Sequence, residues 1–156
     1  ERREERNENM KLKNKIKSAA IGLFSLLVIS CDELTPSLTT DEVRNAPIEF
    51  RVSDRVIARE YEQNEVGANL KYEDKVGVVT GTIMEISKDF GISSVTLDGA
   101  NITAVDCQFD EEYASQLATL RKGQNITIKG VCDGMWGSVS FVSCVIMAPG
   151  VEVKSK

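Results

Sequence analysis

Few side chains in this sequence can do covalent or redox chemistry. Cysteines stand at Cys31, Cys107, Cys132 and Cys144, and there is no histidine. Without histidine the chain has no His-ligated zinc, no Ser-His-Asp relay and no Cys-His pair. The cysteines include no Cys-x-x-Cys, so neither a dithiol redox motif nor a paired thiolate metal site is spelled out. Acid–base work would fall to carboxylates such as Asp54, Glu60, Glu85, Asp89, Asp98, Asp106, Asp110 and Asp133. Paired-carboxylate hydrolysis needs two such groups at a set separation inside a cleft. These positions read instead as caps, turns and solvated faces. No phosphate-cradling glycine loop, GxSxG elbow or EF-hand spacing occurs. The expectation is a protein with no catalytic residue, no metal and no cofactor, and an enzyme is the last function class to consider.

Cys31 is set apart by what precedes it. Residues 1–9 (ERREERNEN) are almost wholly polar and read as an extension upstream of Met10. Lys11, Lys13, Lys15 and Lys17 then lead into the apolar run AAIGLFSLLVI at residues 19–29. That run is too short to cross a bilayer, which takes roughly 20 residues, and suits the apolar region of an export signal over residues 10–30. It ends in Val28-Ile29-Ser30-Cys31, which resembles a bacterial lipobox. The resemblance implies cleavage before Cys31, a diacylglycerol thioether on its sulfur and acylation, by palmitate or a similar chain, of the new amino terminus. Several acyl chains make a stable anchor where one does not. The expected address is the bacterial cell envelope, lipid-anchored to a membrane and facing outside the cytoplasm. The plain alternative is ordinary cleavage, with Cys31 a free or bridged thiol.

Charge narrows the partners. Residues 1–30 hold seven basic and four acidic residues, so the chain from Cys31 onward carries twelve basic against twenty acidic, a net of −8. Such a chain repels phosphate backbones unless a local basic stripe compensates. Arg51, Arg55 and Arg59 make none, because Asp54, Glu60 and Glu62 interleave with them. Nucleic acid is argued against, and an envelope protein or small ligand is favoured.

The elements that would position any site follow from periodicity. Residues 31–50 are polar, with Pro36 and Pro47, and read as a flexible tether. Residues 51–148 form the domain and residues 149–156 a tail. Ser53-Asp54 opens a helix whose stripe is Ile57, Tyr61, Glu65, Ala68 and Tyr72, fraying at Gly67. Asn64 beside that stripe either contacts a ligand or satisfies nearby backbone. From Val76 the period becomes two, with Gly81 marking a bulge. A turn over residues 88–91, a strand over 92–97, a hairpin turn at Asp98-Gly99 and a strand over 101–109 follow. In the last of these Val105, Cys107 and Phe109 share one face. Asp110 caps a helix with the stripe Tyr113, Leu117 and Leu120, ended by Gly123. Strands over 124–132 and 138–147 flank a turn at 133–137. The fold class is therefore all-β with accessory helices. Its architecture is a five-stranded OB-fold barrel (β-β-β-α-β-β) preceded by an N-terminal α-helix. An SH3-like barrel lacks the helix between strands three and four.

The residues from Tyr61 to Cys144 also carry a family pattern. It comprises Tyr61-x-x-Asn64-Glu65 with Ala68, Tyr72-x-x-Lys75, Val79-Thr80-Gly81, Cys107-x-Phe109, Leu120-x-x-Gly123, Lys129-Gly130-x-Cys132-Asp133-Gly134 and Cys144. In this combination the segment resembles the tRNA_anti-like group of OB-fold bacterial lipoproteins. The resemblance implies the fold and the lipoprotein address, not RNA binding.

Within such a barrel strands three and five lie side by side and parallel, so Cys107 and Cys144 can approach and bridge. Cys132 and Cys144 would stand roughly 16 Å apart, too far for a disulfide. All three could instead be buried thiols. OB-folds bind on strands two and three and the flanking loops. Phe90 and Trp136, both at turns, are the candidate ligand contacts, and Trp136 has the alternative role of covering a barrel end.

Overall fold

The structure is a computed structural model and describes residues 38–147. The expected upstream extension, export signal, Cys31, the expected tether up to residue 37 and the expected tail over 149–156 lie outside the described residues.

The chain begins with helix α1 (Thr40–Asn45), strand β1 (Phe50–Ser53) and helices α2 (Asp54–Gln63) and α3 (Glu65–Tyr72). Strands β2 (Val76–Asp89), β3 (Ile92–Ala100) and β4 (Thr103–Phe109) follow. A 3₁₀ turn (Glu111–Tyr113) and helix α4 (Ala114–Leu117) then lead to β5 (Asn125–Trp136) and β6 (Ser138–Ile146). Around the barrel β2 pairs with β3, β3 with β4, β4 with β6, β6 with β5 and β5 again with β2. Every one of these ladders is antiparallel except β4–β6. This closed five-stranded ring with a helical insert between β4 and β5 is the OB-fold.

Alternation drives the closure. On β4, Thr103, Val105, Cys107 and Phe109 point inward, and on β3 Val95 and Leu97 oppose Cys107 and Val105. Ile57 and Tyr61 of α2 and Phe141 of β6 complete the same apolar cluster. Period-two burial of this kind fixes register, because a one-residue slip would turn each inward side chain out.

Several boundaries differ from those read in the sequence. The helix expected across residues 54–72 is two helices, broken at Asn64. Asn64 leaves the helical region (φ −161°, ψ 89°) and its Oδ1 accepts the Gly67 N–H at 3.0 Å, so it caps α3 and satisfies backbone. The β2 irregularity lies between Ile83 and Glu85, not at Gly81. The hairpin expected at Asp98-Gly99 turns instead at Asn101 and Ile102. Gly99 (φ 62°) sits in the strand just ahead, where a Cβ would meet the Thr103 carbonyl. The turn expected over 133–137 shrinks to Gly137, because a bulge between Cys132 and Met135 lets β5 run on to Trp136. Asp110 makes no cap bond to the helical insert; it accepts the Thr40 hydroxyl.

That last contact corrects the tether, since residues 40–50 belong to the fold. Thr39 and Glu42 form a capping box that starts α1. Val43 is fully buried against Val76 and Val131. Arg44 donates to the Tyr113 hydroxyl at 2.8 Å. The buried Lys129 ends α1 by donating to the carbonyls of Arg44 (3.1 Å) and Ala46 (2.7 Å), where the helix dipole favours a cation. Burial, with Arg51 adding repulsion, pulls the Lys129 ammonium below the usual lysine range, so those two carbonyls are what hold it in place. Lys129→Met keeps the bulk and orphans both carbonyls. The expected cost is about 1–3 kcal/mol. Faster amide exchange confined to residues 40–46 would register it, and unchanged exchange there would show that Val43 and the contacts to Asp110 and Tyr113 hold the helix without Lys129.

Candidate ligand-binding face

In an OB-fold the outer face of the second and third barrel strands is the surface between the two binding loops. Here those strands are β3 and β4. Because Val95, Leu97, Val105 and Cys107 point inward, Ser94, Thr96, Asp98, Ala104, Asp106 and Gln108 point out. Cross-strand register arranges them in rows. One row is Glu85, Thr96 and Asp106, and the Thr96 hydroxyl donates to Asp106 at 3.2 Å. The next is Ser87, Ser94 and Gln108, with the two serine hydroxyls 3.0 Å apart. The face is made mostly of polar side chains and bears three carboxylates. Two cations at its border are engaged in ion pairs, while Arg121 and Lys122 line an open depression beside Glu85. Arg55 holds Asp98 at 2.9 Å, and Lys88 grips both oxygens of Glu111 at 2.8 Å.

The two aromatic candidates stand at opposite ends of this face. Phe90 (φ 49°) and Gly91 (φ 88°) form the two-residue turn between β2 and β3, the left-handed pair that a tight hairpin requires. Ser93, just after that turn, pairs with Phe109 at the end of β4. Trp136 precedes Gly137 in the β5–β6 turn, and Val139 just beyond pairs with Val105 near the start of β4. Phe90 is fully exposed and Trp136 is 84% exposed. Trp136 therefore does not cover a barrel end. An open depression of about 260 Å³ adjoins the Phe90 turn, lined by Gly91, Ile92, Gln108, Asp110, Glu111 and Ser143 among others.

A second exposed apolar feature escaped the sequence reading. Val66 and Leu70, one turn apart on α3, are 72% and 80% exposed. The helical stripe drawn through Tyr61, Ala68 and Tyr72 pointed to the buried side, and two apolar residues on the other side carry no periodic signal of their own. Glu73, Asp74 and Asn69 border them. Among the described residues no group of three or more Cys, Asp or Glu side chains is placed to hold a metal ion.

The family model for tRNA_anti-like proteins matches residues 10–146. The chain belongs to the tRNA_anti-like family. Among solved structures, this tRNA_anti-like barrel superposes on a candidate nucleic acid-binding lipoprotein from Klebsiella pneumoniae with a TM-score of 0.54 at 16% identity. That match covers 63% of this chain and 92% of the other. The S. pombe Stn1–Ten1 complex matches at a TM-score of 0.39 and 15% identity, over 46% of this chain and 57% of its own. No curated protein matches the chain. At these identities the likeness is one of fold.

Proposed function

We propose that this protein is a lipid-anchored, extracytoplasmic lipoprotein whose OB-fold domain is a non-catalytic binding module for an envelope protein or small ligand. The observation that carries this reading is the pairing of a cation-poor face with solvent-exposed aromatics at both ends. Glu85, Asp98 and Asp106 disfavour a phosphate backbone, while Phe90 and Trp136 offer apolar contact area that costs little conformational entropy to immobilise. Aromatic side chains are enriched where proteins meet partners, and charged residues are depleted at the centre of such contacts. The lipobox at Cys31 supports the address, and the Klebsiella relative is itself described as a lipoprotein.

A second reading is nucleic-acid or oligosaccharide binding through the same face. It draws on the fold type and on the capacity of Phe90 and Trp136 to stack on bases or sugar rings. The two readings part in a simple titration. Trp136 is the sole tryptophan, so its emission reports directly on the candidate site. Single-stranded DNA and RNA oligonucleotides are expected to leave that emission unchanged up to about 10⁻⁴ M at physiological salt, the weak end of non-specific binding. A photo-reactive residue at position 90 or 136 is expected to yield one discrete protein adduct in intact envelopes, and one at the exposed Arg51 of β1, which pairs with neither β3 nor β4, none. Micromolar oligonucleotide binding that Trp136→Ala abolishes would replace the first reading with the second.

A further inference from the structure

The three cysteines of the barrel are free and buried, and two of them converge on Phe141. Cys107 on β4 stands directly across from Phe141 in the parallel β4–β6 ladder. Cys144 lies three residues further along β6, which in a regular strand would carry it about 10 Å away. A bulge prevents that. Ser143 adopts φ 52°, and the β5 step from Lys129 to Val131 spans the β6 step from Val142 to Val145. The extra residue swings Cys144 inward, so that its Sγ lies 3.5 Å from the Phe141 carbonyl oxygen. Gly130 on β5 leaves the room, since a Cβ there would come within 2.8 Å of that sulfur. Neither thiol has exposed surface. Burial first, and then the neighbouring Cys144, push the Cys107 thiol well above its ordinary range, so it stays protonated in the folded barrel. Cys132 is committed elsewhere, with its sulfur 3.5 Å from the Tyr61 hydroxyl.

We propose that Cys107 and Cys144 are oxidised to a disulfide that locks the β4–β6 seam as the chain folds outside the cytoplasm, leaving Cys132 a thiol. The source of oxidant rests on the extracytoplasmic reading above; the pairing does not. The step is thiol–disulfide exchange with a protein or small-molecule disulfide. One cysteine thiolate attacks that disulfide and releases one of its halves as a thiol. The second cysteine then displaces the other half. One S–S bond is exchanged for another, and the two electrons and two protons end on the reduced partner. Protonated, inaccessible thiols do not attack, so the exchange belongs to folding, before the seam closes. The seam is a natural place for a lock. It is the barrel's one parallel ladder, it pairs only three residues from each strand, and the chain between its cysteines includes α4 and all of β5.

The full chain carrying Cys31→Ser is refolded with oxidised glutathione, denatured without reductant, alkylated with iodoacetamide and mapped by mass spectrometry. The expected result is alkylation at Cys132 alone, with Cys107 and Cys144 in one linked peptide pair. Reduction should lower the melting midpoint by about 15 °C, the scale set by a loop of this length in a domain of this size. That shift should persist in Cys132→Ala and vanish in the Cys107→Ala, Cys144→Ala double variant. Alkylation at all three positions, or a bridge to Cys132, overturns the pairing. The same mapping on protein isolated from native envelopes tests the compartment separately. A bridge formed in vitro beside free thiols in the native protein supports the pairing and counts against export.

Discussion

Valine at position 81 is expected to abolish cooperative folding of the barrel, and alanine to cost about 3 kcal/mol. Gly81 lies where β2 changes neighbours on one edge. β1 accompanies β2 as far as Thr80, and β3 takes over at Ile83. Between them the Thr82 N–H faces no strand. The Asp54 carboxylate fills the gap, accepting Thr82 N–H at 3.1 Å and the Arg55 N–H at 2.7 Å. Asp54 is 5% exposed and is the first residue of α2, so the helix dipole supports its charge. To reach Thr82 the carboxylate lies directly on the Gly81 α-carbon, and a Cβ there would overlap the carboxyl group and come within 2.7 Å of the Asp54 Cβ. Pushing Asp54 away orphans a buried donor and a buried charge, about 1–3 kcal/mol, and the displaced helix start adds overpacking strain of about 1–3 kcal/mol. Against a total stability of about 5–15 kcal/mol either term is serious. The mechanism has its own signature in thermal melts. Removing the obstructing carboxylate with Asp54→Ala should make Gly81→Ala cheaper, leaving the double variant at least about 1 kcal/mol more stable than the sum of the singles. Strict additivity would mean that Gly81 is needed for some other reason.

Gly81 also illustrates what the sequence does and does not disclose. A glycine inside a β-branched run reads as a bulge, because local pattern offers no other explanation. The real cause is Asp54, 27 positions earlier, and no local signal links the two. Strand order and the helical insert were legible because alternation and helical stripes are properties of neighbours in the chain. Helix α1 was not, because TDEVRN contains a single apolar anchor, Val43, and gains its other fastenings from Lys129, Tyr113 and Asp110 far downstream. The Asp98-Gly99 pair carries a strong turn signal, but Asn101 accepts the left-handed conformation too, and the β4 register selected the later turn. Phe90 and Trp136 could each be assigned to a turn from composition. That they bracket one face follows only from the pairing of β4 with both β3 and β6.

Cys31→Ser is expected to move the whole protein from the membrane fraction to the aqueous phase while leaving the melting of the barrel unchanged. Both halves follow from where the work of anchoring would be done. Among the described residues no helix is long and apolar enough to cross a membrane. The chain from Cys31 onward has a net charge of −8, so anionic headgroups repel it and no electrostatic second signal assists. Exposed apolar side chains such as Phe90, Leu70 and Trp136 stand on different elements and form no single insertable helix face. Acyl chains at Cys31 would supply about 0.8 kcal/mol per buried methylene, which makes two or more chains effectively permanent on a cellular timescale and their removal a complete release. The barrel's first described element starts at the Thr39 capping box, eight residues after this position, and the fastenings described above all lie from Thr39 onward. Detergent phase partition and labelling with radioactive palmitate read the two halves of the expectation. Wild-type protein should partition with detergent and carry label, and the serine variant should do neither. A serine variant that stays with the membrane, or a wild-type chain that takes up no acyl group, would leave the binding module without its proposed address.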